Sequence, residues 1–200
     1  MKKLIFSVMA GIVITAVASV GGFIRTSERI SSDVLRLHVL ANSDSDEDQA
    51  LKLKVRDAVL QEGKDIFSGE MNVHNAEEKI ACKKEMLIKR AQSVIDENGF
   101  DYGVDVVVTD EYFQTRSYGE LTLPAGRYTA VKVTLGEAQG HNWWCVMFPP
   151  LCLPAAQEKT DVDMYLDKNE VKLVKSNPEY DVRFKIVEWY EKIKECFKKE

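Results

Sequence analysis

The chain has 200 residues, 45% of them hydrophobic and 30% charged, with a formal net charge of −5. That length suits one domain of the usual ~100–200 residues, and the composition excludes extended disorder and collagen-like repeats. An acidic body also excludes a nucleic-acid binder, which needs a basic face to neutralise phosphates.

Lys2 and Lys3 precede an uncharged run from Leu4 to Ile24. The run is long for the apolar region of a signal peptide and close to the ~20 residues of a membrane span, yet Ala16-Val17-Ala18 reads as a small-x-small cleavage signal. Residues 1–24 are therefore expected to be a cleaved signal peptide or an N-terminal membrane anchor. In both cases the lysines stay inside and everything after Ile24 is exported. Residues 25–32 read as a polar tether and 33–200 as a single domain.

Asp33 to Ala41 alternates as a half-buried strand does, with Leu35, Leu37, Val39 and Ala41 on the core face and Arg36 and His38 pointing away from it. The acidic stretch Asn42 to Asp48 fails the EF-hand pattern, because the twelfth residue counted from Asp44 is Val55 and not Glu. Ser43 or Ser45 instead caps a helix, with the acids at its positive end. Leu51, Val55, Ala58 and Val59 give that helix an apolar stripe to about Gln61, and Gly63 ends it. Asp65 to Val73 reads as a loop and His74 as an exposed loop residue. Asn75 caps a second helix, lined by Ile80, Leu87, Ala91, Val94 and Ile95 and stopped by Asn98-Gly99.

Tyr102 to Thr109 reads as a strand. Gln114 to Leu123 and Arg127 to Leu135 flank Pro124-Ala125-Gly126, which reads as a hairpin turn. The densest cluster of rare residues follows, from Gly140 to Cys152: His141, Trp143, Trp144, Cys145, Pro149, Pro150 and Cys152. Trp143 to Phe148 reads as a buried strand that the two prolines stop. Residues 155–176 are polar without sustained period and read as a weakly ordered insertion. Asn177-Pro178 opens a terminal helix whose stripe of Ile186, Trp189, Tyr190, Ile193 and Phe197 is expected to pack on the sheet. The whole is an α+β fold: a mostly antiparallel sheet, one early strand plus a three- to four-strand meander, packed by two or three helices.

An exported chain keeps disulfides, and a strand followed by a Pro-Pro turn brings Cys145 and Cys152 close, so a bridge between them is favoured. Cys82 and Cys196 read as free thiols. No cofactor or metal is expected, since His38, His74 and His141 lie on three separated segments. One enzyme reading stands as the alternative, a hydrolase acting on cell-wall or small-molecule substrates through Cys145 and His141. No G-x-S-x-G, H-E-x-x-H, P-loop or G-x-G-x-x-G occurs, and a binding role is the default.

Arg36-Leu37-His38-Val39-Leu40-Ala41-Asn42-Ser43-Asp44-Ser45, with Asp48-Gln49-Ala50-Leu51-Lys52-Leu53-Lys54-Val55-Arg56-Asp57, resembles the signature of the stage II sporulation protein R family. Leu123-Pro124-Ala125-Gly126-Arg127-Tyr128, the Gly140 to Cys152 segment and Val182 to Trp189 carry the same resemblance. It implies an exported signalling protein of endospore formers, made in the forespore and delivered to the space between the two surrounding membranes. There it would activate a membrane-embedded aspartic protease that matures a mother-cell sigma factor, and it would not itself be an enzyme. The resemblance brings no contact residues with it. Polar and aromatic residues inside the matching blocks supply the candidates: Arg36, His38, Asn42, Asp44, Arg127, His141, Asn142, Trp143 and Trp144. Among them His141 and Trp143 are expected to face the partner, because exposed aromatic and cationic side chains dominate protein interfaces.

Overall fold

The computed structural model describes residues 2–67, 76–149, 151–152, 162–175 and 182–198. In chain order the elements are α1 (Lys2–Asp33), β1 (Leu35–Leu40), α2 (Asp46–Ile66), α3 (Ala76–Glu97), β2 (Val104–Phe113), β3 (Arg116–Tyr118), β4 (Leu121–Leu123), β5 (Gly126–Leu135), β6 (Asn142–Phe148), α4 (Lys168–Val174) and α5 (Val182–Lys198), with a 3₁₀ turn at Val162–Met164. They form two compact units. One comprises residues 31–112 and 127–166, the other 1–30, 113–126 and 167–200.

The first unit is an α+β layer. Its sheet runs in the order β2-β5-β1-β6. β1 lies parallel to β5 and antiparallel to β6, so one parallel pair sits inside a mostly antiparallel sheet. The early strand is thus central and does not sit beside a consecutive meander. Parallel neighbours need a long crossover connection, and α2 and α3, which follow β1, supply it. Leu35, Leu37 and Val39 of β1 bury against Leu51, Val55 and Val59 of α2 and Leu87, Ala91 and Ile95 of α3, together with Val131, Val133 and Leu135 of β5. The helix stripes and the strand alternation read from the sequence therefore meet in one core.

The ends of these helices follow local chemistry. Ser45 caps α2, its side chain accepting from the Asp48 amide, with Asp46, Glu47 and Asp48 in the first turn. α3 ends in a Schellman pattern, Phe100 N–H to Ile95 O and Gly99 N–H to Asp96 O, with Gly99 at φ +80°. Gly63 does not end α2, which continues to Ile66. A Cβ on Gly63 would sit 2.9 Å from Met147 Cγ, so the glycine's role is to let the β6 side chain approach. The expected cap at Asn75 and the loop residue His74 lie outside the described residues.

Two sequence expectations about the middle of the chain are corrected. Pro124-Ala125-Gly126 is not a hairpin turn. β3 pairs with β4 around Gly119, whose φ of +62° suits the tight reversal between Tyr118 and Leu121. β5 then pairs with β2 and β1. The stretch 155–176 is not without structure either. Asp167 caps α4, and Glu170 returns the bond to the Asp167 amide, a complete capping box. Residues 153–161 lie outside the described residues.

Residues 25–32, expected as a tether, are helical and continue α1, and residues 25–30 of them belong to the second unit. α1 packs on α5 through Phe23 against Phe184, edge to face at 5.3 Å. Lys194 Nζ adds an ion pair to Glu28 at 3.2 Å, and Arg29 reaches Asp167 at 3.1 Å. α5 buries Phe184, Val187 and Glu191, whereas of its expected stripe Trp189, Tyr190, Ile193 and Phe197 are exposed and Ile186 is half-buried. That reverses the expected packing. The smaller face of α5 turns inward, where Phe184 has an aromatic partner on α1 and Lys194 pairs with Glu28 of α1. Among the described residues, no helix is long and apolar enough to cross a membrane. The side chains at 12, 13, 16 and 17, in the middle of the apolar run, are outside that description.

Candidate functional site

The register of the first unit sorts the candidate residues onto two faces. Leu37 pairs with Cys145 and Val39 with Trp143, while His38 pairs with Trp144 and Leu40 with Asn142. Opposed residues share a face, so Trp143 lies on the helix-covered face. His38, Asn142 and Trp144 lie on the other, with Arg36 and Lys132.

On that second face His38 is the hub. Its Nδ1 meets Glu111 Oε2 at 2.7 Å and its Nε2 meets Asn142 Oδ1 at 2.8 Å. Its ring stacks on Trp144 at 3.6 Å between centroids, and Lys132 Nζ holds the other Glu111 oxygen at 3.1 Å. His38 is 5% exposed and Arg36 fully buried, with the Arg36 guanidinium 5.0 Å from the Tyr128 ring centroid. Arg127 grips Asp110, its Nε 3.0 Å from the carboxylate and its Nη2 2.6 Å from the main-chain carbonyl. Arg36, His38, Arg127 and Trp144 therefore tie strands together, the first two buried and the last two half-buried.

The loop after β1 is clamped to the loop before β6. Asn42 Oδ1 accepts from the Glu137 amide at 2.9 Å, Gln139 N–H donates to Asn42 O, and Gly140 N–H to Ala41 O. A Cβ on Gly140 would overlap the Ser43 carbonyl oxygen, and one on Gly136 (φ +51°) the Asn42 side chain. Beneath the loop, buried Asp48 accepts from Ser43 at 2.5 Å, Tyr102 at 2.6 Å and Asn42 at 2.9 Å. Burial raises the Asp48 pKa, but these hydrogen bonds outweigh it and hold the carboxyl below its ordinary value. Burial together with the donated bond to Asp48 pushes the Tyr102 phenol well above its usual range. Lys52 donates to the His141 carbonyl at 2.8 Å and to Gln49 at 2.5 Å, and burial lowers its pKa.

What remains outward is a patch at the top of the β6 edge. His141 presents both its amide and Nδ1 to Asp44 Oδ1, at 2.6 and 2.5 Å, while 78% of its side chain stays exposed. The amide bond, then the ring bond, hold the Asp44 carboxyl below its ordinary pKa. Beside it Trp143 is 37% exposed, with Arg56 of α2 over its ring at 4.6 Å and bound to Asp57 at 2.6 Å. Asp44, His141 and Trp143 are thus accessible members of the expected set on one face, whereas Asn142, though exposed, lies on the opposite face with its Oδ1 on His38. Sequence reasoning missed Arg56, Asp48 and Lys52. Asp48 and Lys52 fall on the same helical stripe as Val55 and Val59, and that spacing was the available signal.

The arrangement also removes the hydrolase reading. Cys145 is bonded to Cys152 and is 1% exposed, so it offers no thiolate to His141. Cys152 Sγ in turn accepts from the Val146 amide at 3.1 Å. Cys82 and Cys196 are free and exposed. Among the described residues no cluster of His, Cys, Asp or Glu is arranged to hold a metal.

The family model for Stage II sporulation protein R matches residues 31–158. A curated relative, Stage II sporulation protein R of Bacillus subtilis (strain 168), is 39% identical over 123 residues, 62% of this chain and 55% of the relative. The matched stretch thus spans about half of that relative's length. No solved structure matches the chain. The family match takes in β1 through β6, both crossover helices, the Asp44–His141 clamp and the Trp143 patch, and on that ground the chain belongs to the stage II sporulation protein R family.

Proposed function

We propose that this protein is an exported signal which activates a membrane-embedded aspartic protease of the mother cell, leading to maturation of a sigma-factor precursor. Family membership is the observation that carries the reading. In this account the forespore exports the chain through its lysine-led apolar N-terminus, and the protein acts by contact and not by bond chemistry. The contact surface is the Asp44, His141, Trp143 and Arg56 patch. It is outward and preorganised: Asp44 fixes the His141 ring, and the β6 edge and Arg56 fix the Trp143 ring. Rigid aromatic and cationic groups cost little entropy on binding, which is why they dominate interface energetics.

The test replaces His141 and Trp143 together by alanine and follows export, folding and sigma-factor processing in sporulating cells. The expected outcome is a folded, exported protein with processing lost. Normal processing by the double variant removes this surface from the account.

A further inference from the structure

The unassigned feature with the clearest chemistry is the outer face of α5. Trp189, Tyr190, Ile193 and Phe197 are 68, 38, 58 and 75% exposed. They recur at i, i+1, i+4 and i+8, so they form one stripe along the helix. A stripe of this size left outward marks an interaction site and not a scatter of surface residues.

Three observations identify the occupant. First, α5 is basic in an acidic protein: five Lys and Arg against three Glu within Val182–Lys198, where the whole chain carries −5. Exposed Lys185 and Lys192 lie along one side of the stripe. Second, the packing partner of α5 is α1, which leaves Leu4, Ile5, Phe6, Val8, Met9 and Ile14 exposed. Third, α5 meets α1 at Phe23 and Glu28, where α1 changes from apolar residues to Arg25, Glu28 and Arg29. With the N-terminal run in a bilayer, as the sequence leads one to expect, α5 would sit at the level where that helix leaves hydrocarbon for headgroups. Trp and Tyr with aliphatic residues on one face and Lys beside them is the composition of a helix lying in that interfacial layer.

We propose that the outer stripe of α5 rests on a lipid bilayer bearing anionic headgroups, as a second membrane contact beside the N-terminal apolar run. The stripe supplies buried apolar area, and the lysines supply attraction to the headgroups. This contact stands apart from the protease reading and lies outside the residues matched by the family model.

The test uses the full chain in vesicles of phosphatidylcholine with phosphatidylglycerol, comparing wild type with Trp189→Phe. The difference spectrum isolates Trp189 among the three tryptophans. With bromine on the lipid acyl chains, the Trp189 contribution is expected to fall at least twofold. Ile193→Ser with Phe197→Ser should abolish that quenching, and pure phosphatidylcholine should weaken it. Water-like, unquenched emission from Trp189 overturns the proposal. So does cross-linking of two chains through Cys196 on α5 at equal yield with and without vesicles, which would assign the face to a second copy.

Discussion

One oxygen of Asp44 accepts two bonds from a single residue, the amide of His141 at 2.6 Å and its Nδ1 at 2.5 Å. The two residues stand at opposite ends of the first unit's sequence, one after the first strand and one before the last. Their pairing makes an exposed imidazole rigid. Asp44→Ala should therefore leave the fold intact while freeing the ring, and sigma-factor processing should fall several-fold. Faster amide exchange at His141 with an unchanged melting transition is the measurement that checks it.

Asp48 makes a stronger claim about stability. Removing a buried acceptor of three hydrogen bonds leaves Ser43, Tyr102 and Asn42 without it, so Asp48→Ala should cost about 2–4 kcal/mol, read from urea unfolding. The carboxyl's pKa is lower in the folded state, so the folded protein holds that proton less tightly than the unfolded chain. The stabilisation is then fully present above the ordinary carboxylate value of about 3.9 and is lost as pH falls through the folded value. Asp48→Asn should flatten the acid limb of the stability curve.

Gly140 and Gly136 predict a contrast with Gly103. Alanine at 140 meets the Ser43 carbonyl, and at 136 it meets Asn42 from a left-handed backbone, whereas nothing lies near Gly103. Gly140→Ala should destabilise by roughly 2 kcal/mol or more, and Gly103→Ala should be close to neutral. Thermal melts of the three variants side by side decide it.

His38→Phe keeps a ring for Trp144 to stack on but withdraws both nitrogens from Glu111 and Asn142. The expected loss is about 1–3 kcal/mol, with a changed near-ultraviolet circular dichroism signal from Trp144. A variant as stable as the parent would show that the hub is only packing.

The bridge between Cys145 and Cys152 spans seven residues. A loop that short contributes about 2–3 kcal/mol through the unfolded state. Cys145→Ala with Cys152→Ala should lower stability by that amount, and intact mass before and after reduction should report one disulfide with two free thiols.

Much of the fold was legible because its elements follow simple periods. The stripe Leu51, Val55, Ala58 and Val59, the α3 stripe and the alternation of Leu35, Leu37 and Val39 all became core. The place of β1 between β5 and β6 was not legible, because strand order depends on long-range pairing that no local pattern encodes. The β3–β4 turn was misplaced because Pro124-Ala125-Gly126 carries a stronger turn signal than Gly119-Glu120. α5 was turned the wrong way because its larger apolar stripe faces outward, and periodicity reports a stripe without saying what covers it. In the site, His141 and Trp143 were visible as residue types. Arg56 over Trp143 was not, since it joins segments far apart in the chain.

The central claim is that this protein activates a protease by contact. The direct test expresses it with the membrane-embedded protease and the sigma-factor precursor in a host that does not sporulate. The account predicts precursor cleavage with all three, none without this protein, and none with His141→Ala plus Trp143→Ala. Equal cleavage in its absence, or none when all three are correctly placed and folded, would contradict it.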